Sequence, residues 1–291
     1  DGIRWMKMSD NWANEAPSSV GSFLTWQQPH YIYFAELMYR SNPTPEVLER
    51  YKDMVFETAK FMASFPTYEE LEIRYVLKGM IPAQETLRAS ETINPPFELS
   101  YWHWALSTAQ QWRERLGMGR EPQWDVILDK LSPLAAKDGK YLASEDAVDT
   151  YSDVRFTSDH MIVLGAFGML PKNKLFTEEI MGNTFDWIWD NWNWGRTWGW
   201  DYPMTAMSAA RLGKADKAVD ALLMEKRTNT YLANGHNYQD DRLRIYLPGN
   251  GGLLTAVAMM CAGWDGSEGD CPGFPKDGNW NVKWEGLEPM P

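Results

Sequence analysis

Apolar positions recur at helical intervals along most of this 291-residue chain. "PHYIYFAELMYR" (29–40) sets Ile32, Ala35, Glu36 and Tyr39 on one stripe. "EVLERYKDMVFETAKFMASF" (46–65) repeats the pattern with Leu48, Tyr51, Val55, Ala59 and Met62. The "SNPTP" break between them predicts a helical hairpin. The helical period returns over 96–117, where Gly117 supplies a C-terminal stop, and over 122–134, 158–171, 177–192, 201–213, 214–226 and 249–264. Thr177 followed by Glu178 and Glu179 has the chemistry of a helix start. Period-two alternation appears over 73–79 and in the tail, where Trp280, Val282 and Trp284 predict a terminal strand. The pattern predicts an all-α fold of about nine helices as antiparallel neighbours, a ring of hairpins with its longer polar loops at one end. The domain reading is one helical domain over 1–270 and an extended tail or strand over 271–291.

Composition adds an unusual aromatic load: sixteen tryptophans, six of them in "WIWDNWNWGRTWGW" (187–200). A buried indole wants a partner for its N–H, so six in fourteen positions suggest either a core or the floor of a groove. Helix phasing divides them. Trp187, Trp189 and Trp192 fall at the end of the helix that starts near Thr177 and are expected in the core. Trp194, Trp198 and Trp200 fall in a glycine-containing loop and are expected to meet a ligand. A net charge of −12 argues against nucleic acid and anionic membrane surfaces as partners. The longest apolar run, 253–264, is too short to span a bilayer. Cys261 and Cys271 fit a disulfide or two free thiols equally well.

Candidate chemistry is dominated by carboxylates and amides. Glu85 in "MIPAQET" follows a proline turn; it reads as a solvated loop residue or as a general acid walled by apolar groups. Glu15 lies in a Ser/Asn-rich loop before Trp26, Gln27 and Gln28, an indole and two amides of the kind that read sugar hydroxyls. Asp201 in "WGWDYP" reads as a helix cap or as a partner carboxylate. Two glycine-broken loops carry His236, Asn237, Asp240, Asp241 and Asn250. The four histidines are too dispersed for a metal motif and no G-x-S-x-G elbow occurs, so no metal and no cofactor is expected.

Several segments resemble the six-hairpin, (α/α)6-toroid glycoside hydrolases of families 65 and 95. "GIRWMKMSDNWANEAPSS" is similar to the family 65 "GARYPW…G-x-E" segment. "MIPAQETLRASETINPPFELSYWHWAL" is similar to "IGPDEYH…N-N-x-Y-T-N", in which the glutamate is the general acid; that glutamate falls on Glu85 and the asparagine on Asn94. "WGWDYPMTAMSAARLGKADKAVDALL" and "YLPGNGGLLTAVAMM" resemble a helix pair and a loop of family 95. The match departs from the family at Pro82-Ala83-Gln84, which replaces G-P-D, and at Pro248, which stands where family 95 has its base. The resemblance implies a carbohydrate substrate and an inverting hydrolase, with Glu85 as acid and Asp201 as base, Asp240 or Asp241 standing next. About 6.5–9.5 Å would separate the two carboxyls to admit water. Trp26, Trp102, Trp198 and Trp200 would stack on sugar rings, and Glu15, Gln27, Gln28, Asn94, His236, Asn237 and Asn250 would bind hydroxyls. A phosphorylase on the same fold and a non-catalytic carbohydrate-binding helical domain are the alternatives. The resemblance further implies that an upstream segment completes the toroid, and by analogy it favours a periplasmic or secreted location.

Overall fold

The computed structural model describes residues 1–16, 18 and 20–291. It is all-α in character, with nine α-helices and three short two-stranded ladders among the described residues. The chain divides into two compact units: Asp1–Ala135 with Ser144–Val148 and Asn173–Leu175, and Ala136–Ala143 with Asp149–Lys172 and Phe176–Pro291.

In the first unit α1 (His30–Ser41) and α2 (Pro45–Ser64) form the expected hairpin. Thr44 caps α2, its hydroxyl accepting from Val47 N, and Pro45 takes the first helical position, where a missing N–H leaves no bond unmade. Strands β1 (Thr67–Glu69) and β2 (Arg74–Val76) pair antiparallel before α3 (Pro96–Arg115) and α4 (Pro122–Lys130). Helix α3 is the central element, apolar around most of its circumference and packed by α1, α2 and α4. Its polar contacts are directed. Trp112 Nε1 donates to Glu36 Oε2 at 2.7 Å and the Arg115 guanidinium meets the same carboxylate at 2.6 Å, which ties α1 to α3. Trp102, expected to stack on a sugar, is fully buried instead and donates to Met62 O of α2 at 2.8 Å. An indole enclosed on both faces offers no ring surface, so its place is the core.

The second unit contains β3 (Ala136–Lys137), β4 (Lys140–Tyr141), α5 (Gly165–Gly168), α6 (Glu178–Asn191), α7 (Asp201–Arg211), α8 (Ala215–Leu223), β5 (Thr230–Tyr231), β6 (Asn237–Tyr238) and α9 (Leu247–Ala262). Helix α7 is buried from Asp201 to Ala210, with α5, α8 and α9 against it. Its small residues Ala206, Ser208, Ala209 and Ala210 permit that closeness. A side chain added at Gly168 would come within 2.6 Å of Ser208 N. Two expectations differ in detail. The helix read over 158–171 shrinks to a 3-10 turn at Ile162–Leu164 and the four residues of α5. Asp159 at φ +67° breaks the helix on one side and Pro171 ends it on the other. The terminal strand read from Trp280, Val282 and Trp284 does not form, because no second strand lies beside it among the described residues; both indoles are 44% exposed. The tail is held instead by Gly273 N donating to Met260 O at 3.0 Å, by a parallel bridge between Trp264 and Met290, and by Arg211 of α7, whose Nη2 donates to Pro291 O at 2.8 Å. Residues 271–291 therefore belong with the second unit. Both cysteines are free thiols.

Candidate functional site

In the first unit the loop after β2 is pinned at both ends by main-chain bonds. Ile81 N donates to Phe23 O at 2.9 Å, and Asn94 N donates to Leu77 O at 2.7 Å. Pro82, Ala83 and Gln84 are buried, and Glu85 is the residue that emerges, its side chain 40% exposed and paired with Lys7 Nζ at 3.1 Å. Beneath it, Glu98 of α3 is wholly buried, with Oε1 accepting from Ala83 N at 2.9 Å. Burial pushes the Glu98 carboxyl up to about 8, against the pull of the Ala83 and Glu98 N–H groups. Asn94 is 1% exposed at φ +52°, its Oδ1 accepting from Leu77 N and its Nδ2 donating to Glu145 Oε2 at 2.6 Å. Arg74 completes that knot with a bidentate bond to Glu145. Asn94 thus closes the loop and has no face left for a sugar.

The amides before α1 are also engaged. Gln28 is fully buried and brackets the Trp5 peptide, accepting from Trp5 N at 2.7 Å and donating to Trp5 O at 2.6 Å, as a neighbouring strand would. Both its polar atoms are committed, which excludes a hydroxyl contact in this arrangement. Gln27 Nε2 donates to Trp5 O and Leu24 O, while Oε1 has no hydrogen-bond partner among the described residues. Trp26 is half-buried, edge-on to His30 at 5.4 Å. His30 Nδ1 lies 3.0 Å from Tyr101 OH, and burial lowers the His30 pKa to about 4. Glu15 pairs with Arg4 Nη2 at 2.7 Å in an exposed turn.

The second unit gathers a different cluster around the tryptophan loop. Asp201 opens α7 but does not cap it; its Oδ2 accepts from Trp198 N, three residues behind, at 2.7 Å. Its Oδ1 lies 2.8 Å from His160 Nδ1. Burial raises the Asp201 pKa; His160 and the Trp198 N–H oppose that rise. With Asp201 ionised, Nδ1–H donates to it and Nε2 becomes the accepting nitrogen. His160 lies 4.2 Å from the Trp200 ring, and Trp198 Nε1 donates to Asp159 Oδ1 at 2.9 Å. The acidic Asp159 oxygen is itself 3.7 Å from His160 Nε2. Indoles, imidazole and two carboxylates therefore meet in one unit, with Trp198 and Trp200 half-buried.

The loops behind this cluster are built on Asn237. It is fully buried, its Nδ2 donating to Thr228 O and Thr230 O, its N donating to Asn250 Oδ1 at 2.9 Å. A side chain at Gly199 or Gly249 would collide with the Asn237 carboxamide, so these glycines are required for close approach. Gln239 bridges Gly199 N and Thr197 O. Asn250 donates to Gly235 O at 2.8 Å. Asn237 and Asn250 are thus loop clamps. His236 is half-buried with Nδ1 unpartnered among the described residues. Asp240 and Asp241 stabilise their own turn, accepting from Leu243 N and Tyr238 OH. No helix among the described residues is long and apolar enough to cross a membrane, and no three His, Cys, Asp or Glu among them converge as a metal-ligand group.

No protein-family profile and no curated protein matches the chain. Among solved structures it is similar to one described as "Putative kojibiose phosphorylase from human microbiome", with a TM-score of 0.59 at 10% identity over 86% of this chain. That likeness establishes the fold. The helices follow the six-hairpin, (α/α)6-toroid class. The chain spans 41% of that protein's length.

Of the residues singled out by sequence, Trp198, Trp200 and Asp201 come together, and Glu85 emerges on a built loop. Three contributors are missed: Lys7, Glu98 and His160. Each is far in sequence from the group it meets, and none carries a local pattern. Glu98 left only a faint trace, as an acidic residue on a helix face otherwise apolar.

Proposed function

We propose that the chain is the helical part of an enzyme that cleaves glycosidic bonds by hydrolysis with inversion, Glu85 acting as the general acid. The observation that carries this reading is the form of the Glu85 loop. On a six-hairpin fold, buried residues 82–84 present one carboxyl outward, beside a lysine that holds it in place. To act, Glu85 leaves Lys7, takes up a proton from solvent and passes it to the glycosidic oxygen as the bond breaks. Trp26, in the same unit as Glu85, is a half-buried indole suited to covering a sugar face, and Trp198 and Trp200 are half-buried indoles of the second unit suited to the same kind of contact.

Asp201 is fully buried with one oxygen on Trp198 N and the other on His160 Nδ1, so it orients His160 and is not a carboxylate base open to water. The same occupancy favours a second reading, phosphorolysis, in which inorganic phosphate replaces water and no carboxylate base is needed. The similar solved structure is described as a phosphorylase, which agrees with that alternative.

The test is turnover of a panel of α- and β-linked disaccharides with and without inorganic phosphate. Phosphate-independent release of two free sugars supports hydrolysis. A sugar 1-phosphate formed only with phosphate replaces it with the second reading. Absence of cleavage under both conditions removes the enzymatic assignment.

A further inference from the structure

Glu98 is a buried ionisable side chain that the acid role of Glu85 does not itself use. It sits in the first turn of α3 with no exposed surface. Its Oε1 accepts from Ala83 N at 2.9 Å, while Oε2 is buried without a hydrogen-bond partner among the described residues. A helix N-terminus favours negative charge only modestly, whereas desolvating a carboxylate without a counter-charge is far more costly, so burial wins and the proton stays on. Several charged groups on the elements packed against α3 are paired with groups other than Glu98. On α1, His30 meets Tyr101 and Glu36 meets Arg115; on α2, Lys52 meets Glu49 and Lys60 meets Glu57; on α4, Asp125 meets Arg120. On the loop itself Glu85 meets Lys7.

We propose that Glu98 is a positioning residue: by accepting from the Ala83 N–H it fixes the main chain two residues before Glu85, and with it the direction in which that carboxyl points. The loop is anchored at Ile81 by Phe23 O and at Asn94 by Leu77, and Ala83 lies between these two anchors. Without Glu98 the buried Ala83 N–H would lose this acceptor. Pro82, Ala83 and Gln84 are buried, and the bond from Ala83 N to Glu98 bears directly on the rotation of the main chain that leads to Glu85. The neutral acid suits this task because it accepts one bond without demanding solvent. Ionisation places charge on the unpartnered Oε2, which is relieved only by opening the contact to water. The inference rests on the Glu85 reading for its catalytic consequence but not for its structural one.

Amide exchange and turnover on the full chain test the two separately, using Glu98→Gln and Glu98→Leu. Gln keeps a carbonyl for Ala83 and cannot ionise; Leu removes the acceptor at similar volume. The expected result for Leu is at least a tenfold loss of Ala83 protection, with α3 protection unchanged. On any cleaved glycoside kcat falls tenfold or more while KM moves less than threefold. Gln retains both. In the wild type, Ala83 protection, corrected for the intrinsic rate, falls as pH rises through about 8, and in Glu98→Gln it stays flat. Should Leu fail to fold, this pH comparison alone decides. Unchanged Ala83 protection in Leu, or the same pH response in Gln as in wild type, overturns the proposal. If no glycoside is cleaved, exchange still reads the positioning while the catalytic reading fails on its own.

Discussion

At the scale of single residues, buried polar groups are where the chain is most specific. Glu98 carries a pH signature in global stability. The folded state holds its proton to about 8, whereas an unfolded glutamate releases it near 4.5. Between those values the folded state binds the extra proton, so stability falls as pH rises, by about 1.4 kcal/mol per pH unit within the window. Thermal unfolding should therefore show Glu98→Gln gaining on wild type from pH 5 to pH 8. Parallel melting curves would contradict the buried neutral acid. His30 runs the opposite way. Burial lowers its pKa to about 4, so the unfolded imidazole takes a proton near 6.5 that the folded one refuses. Stability contributed by His30 is lost as pH falls through that window, and His30→Gln should flatten the acid side of the stability profile. Gln28→Ala removes both bonds to the Trp5 peptide. A melting experiment should register a loss of about 1–3 kcal/mol, the scale of a buried peptide group left unpaired.

Elements show what pattern alone conveys. Helices α1, α2, α3, α6, α7, α8 and α9 are legible because each has a continuous helical period and recognisable ends, such as Thr44 with Pro45 and Thr177 with two glutamates. Ladders β3–β4 and β5–β6 are two residues per strand, too short for an alternation to register. Segment 158–171 misleads because "SDHMIVLGAFGMLP" is apolar on every side, and a buried irregular segment has the same composition as a buried helix. Trp280 and Trp284 mislead for the reverse reason: alternation is present but a partner strand is not. The site is legible where chemistry is local, as in the Trp198–Asp201 loop, and hidden where it depends on approach, as for His160, 41 residues before Asp201. Close approach also makes a prediction. Gly168→Ala drives a methyl against Ser208 of α7, and should destabilise the α5–α7 packing by about 1–3 kcal/mol, read by chemical denaturation. A neutral result would mean the two segments are not in contact.

On the scale of the whole molecule, each unit leaves one helix with an apolar outer face. On α1 these are Tyr31, Phe34, Leu37 and Met38; on α9, Leu247, Leu254 and Val257, with Leu254 72% exposed. Contiguous apolar surface of this kind binds hydrophobic dyes, so Phe34→Lys and Leu254→Lys should each lower dye binding by the folded chain while leaving its melting temperature within about 2 °C. The proposed acid role of Glu85 is tested most directly by turnover of a cleaved glycoside by Glu85→Gln beside the wild type. Because Glu85 is exposed and outside the core, the variant should melt with the wild type. General acid catalysis is worth about 10²–10⁴-fold, so kcat should fall by at least two orders of magnitude at unchanged fold. Wild-type turnover in Glu85→Gln would contradict the account.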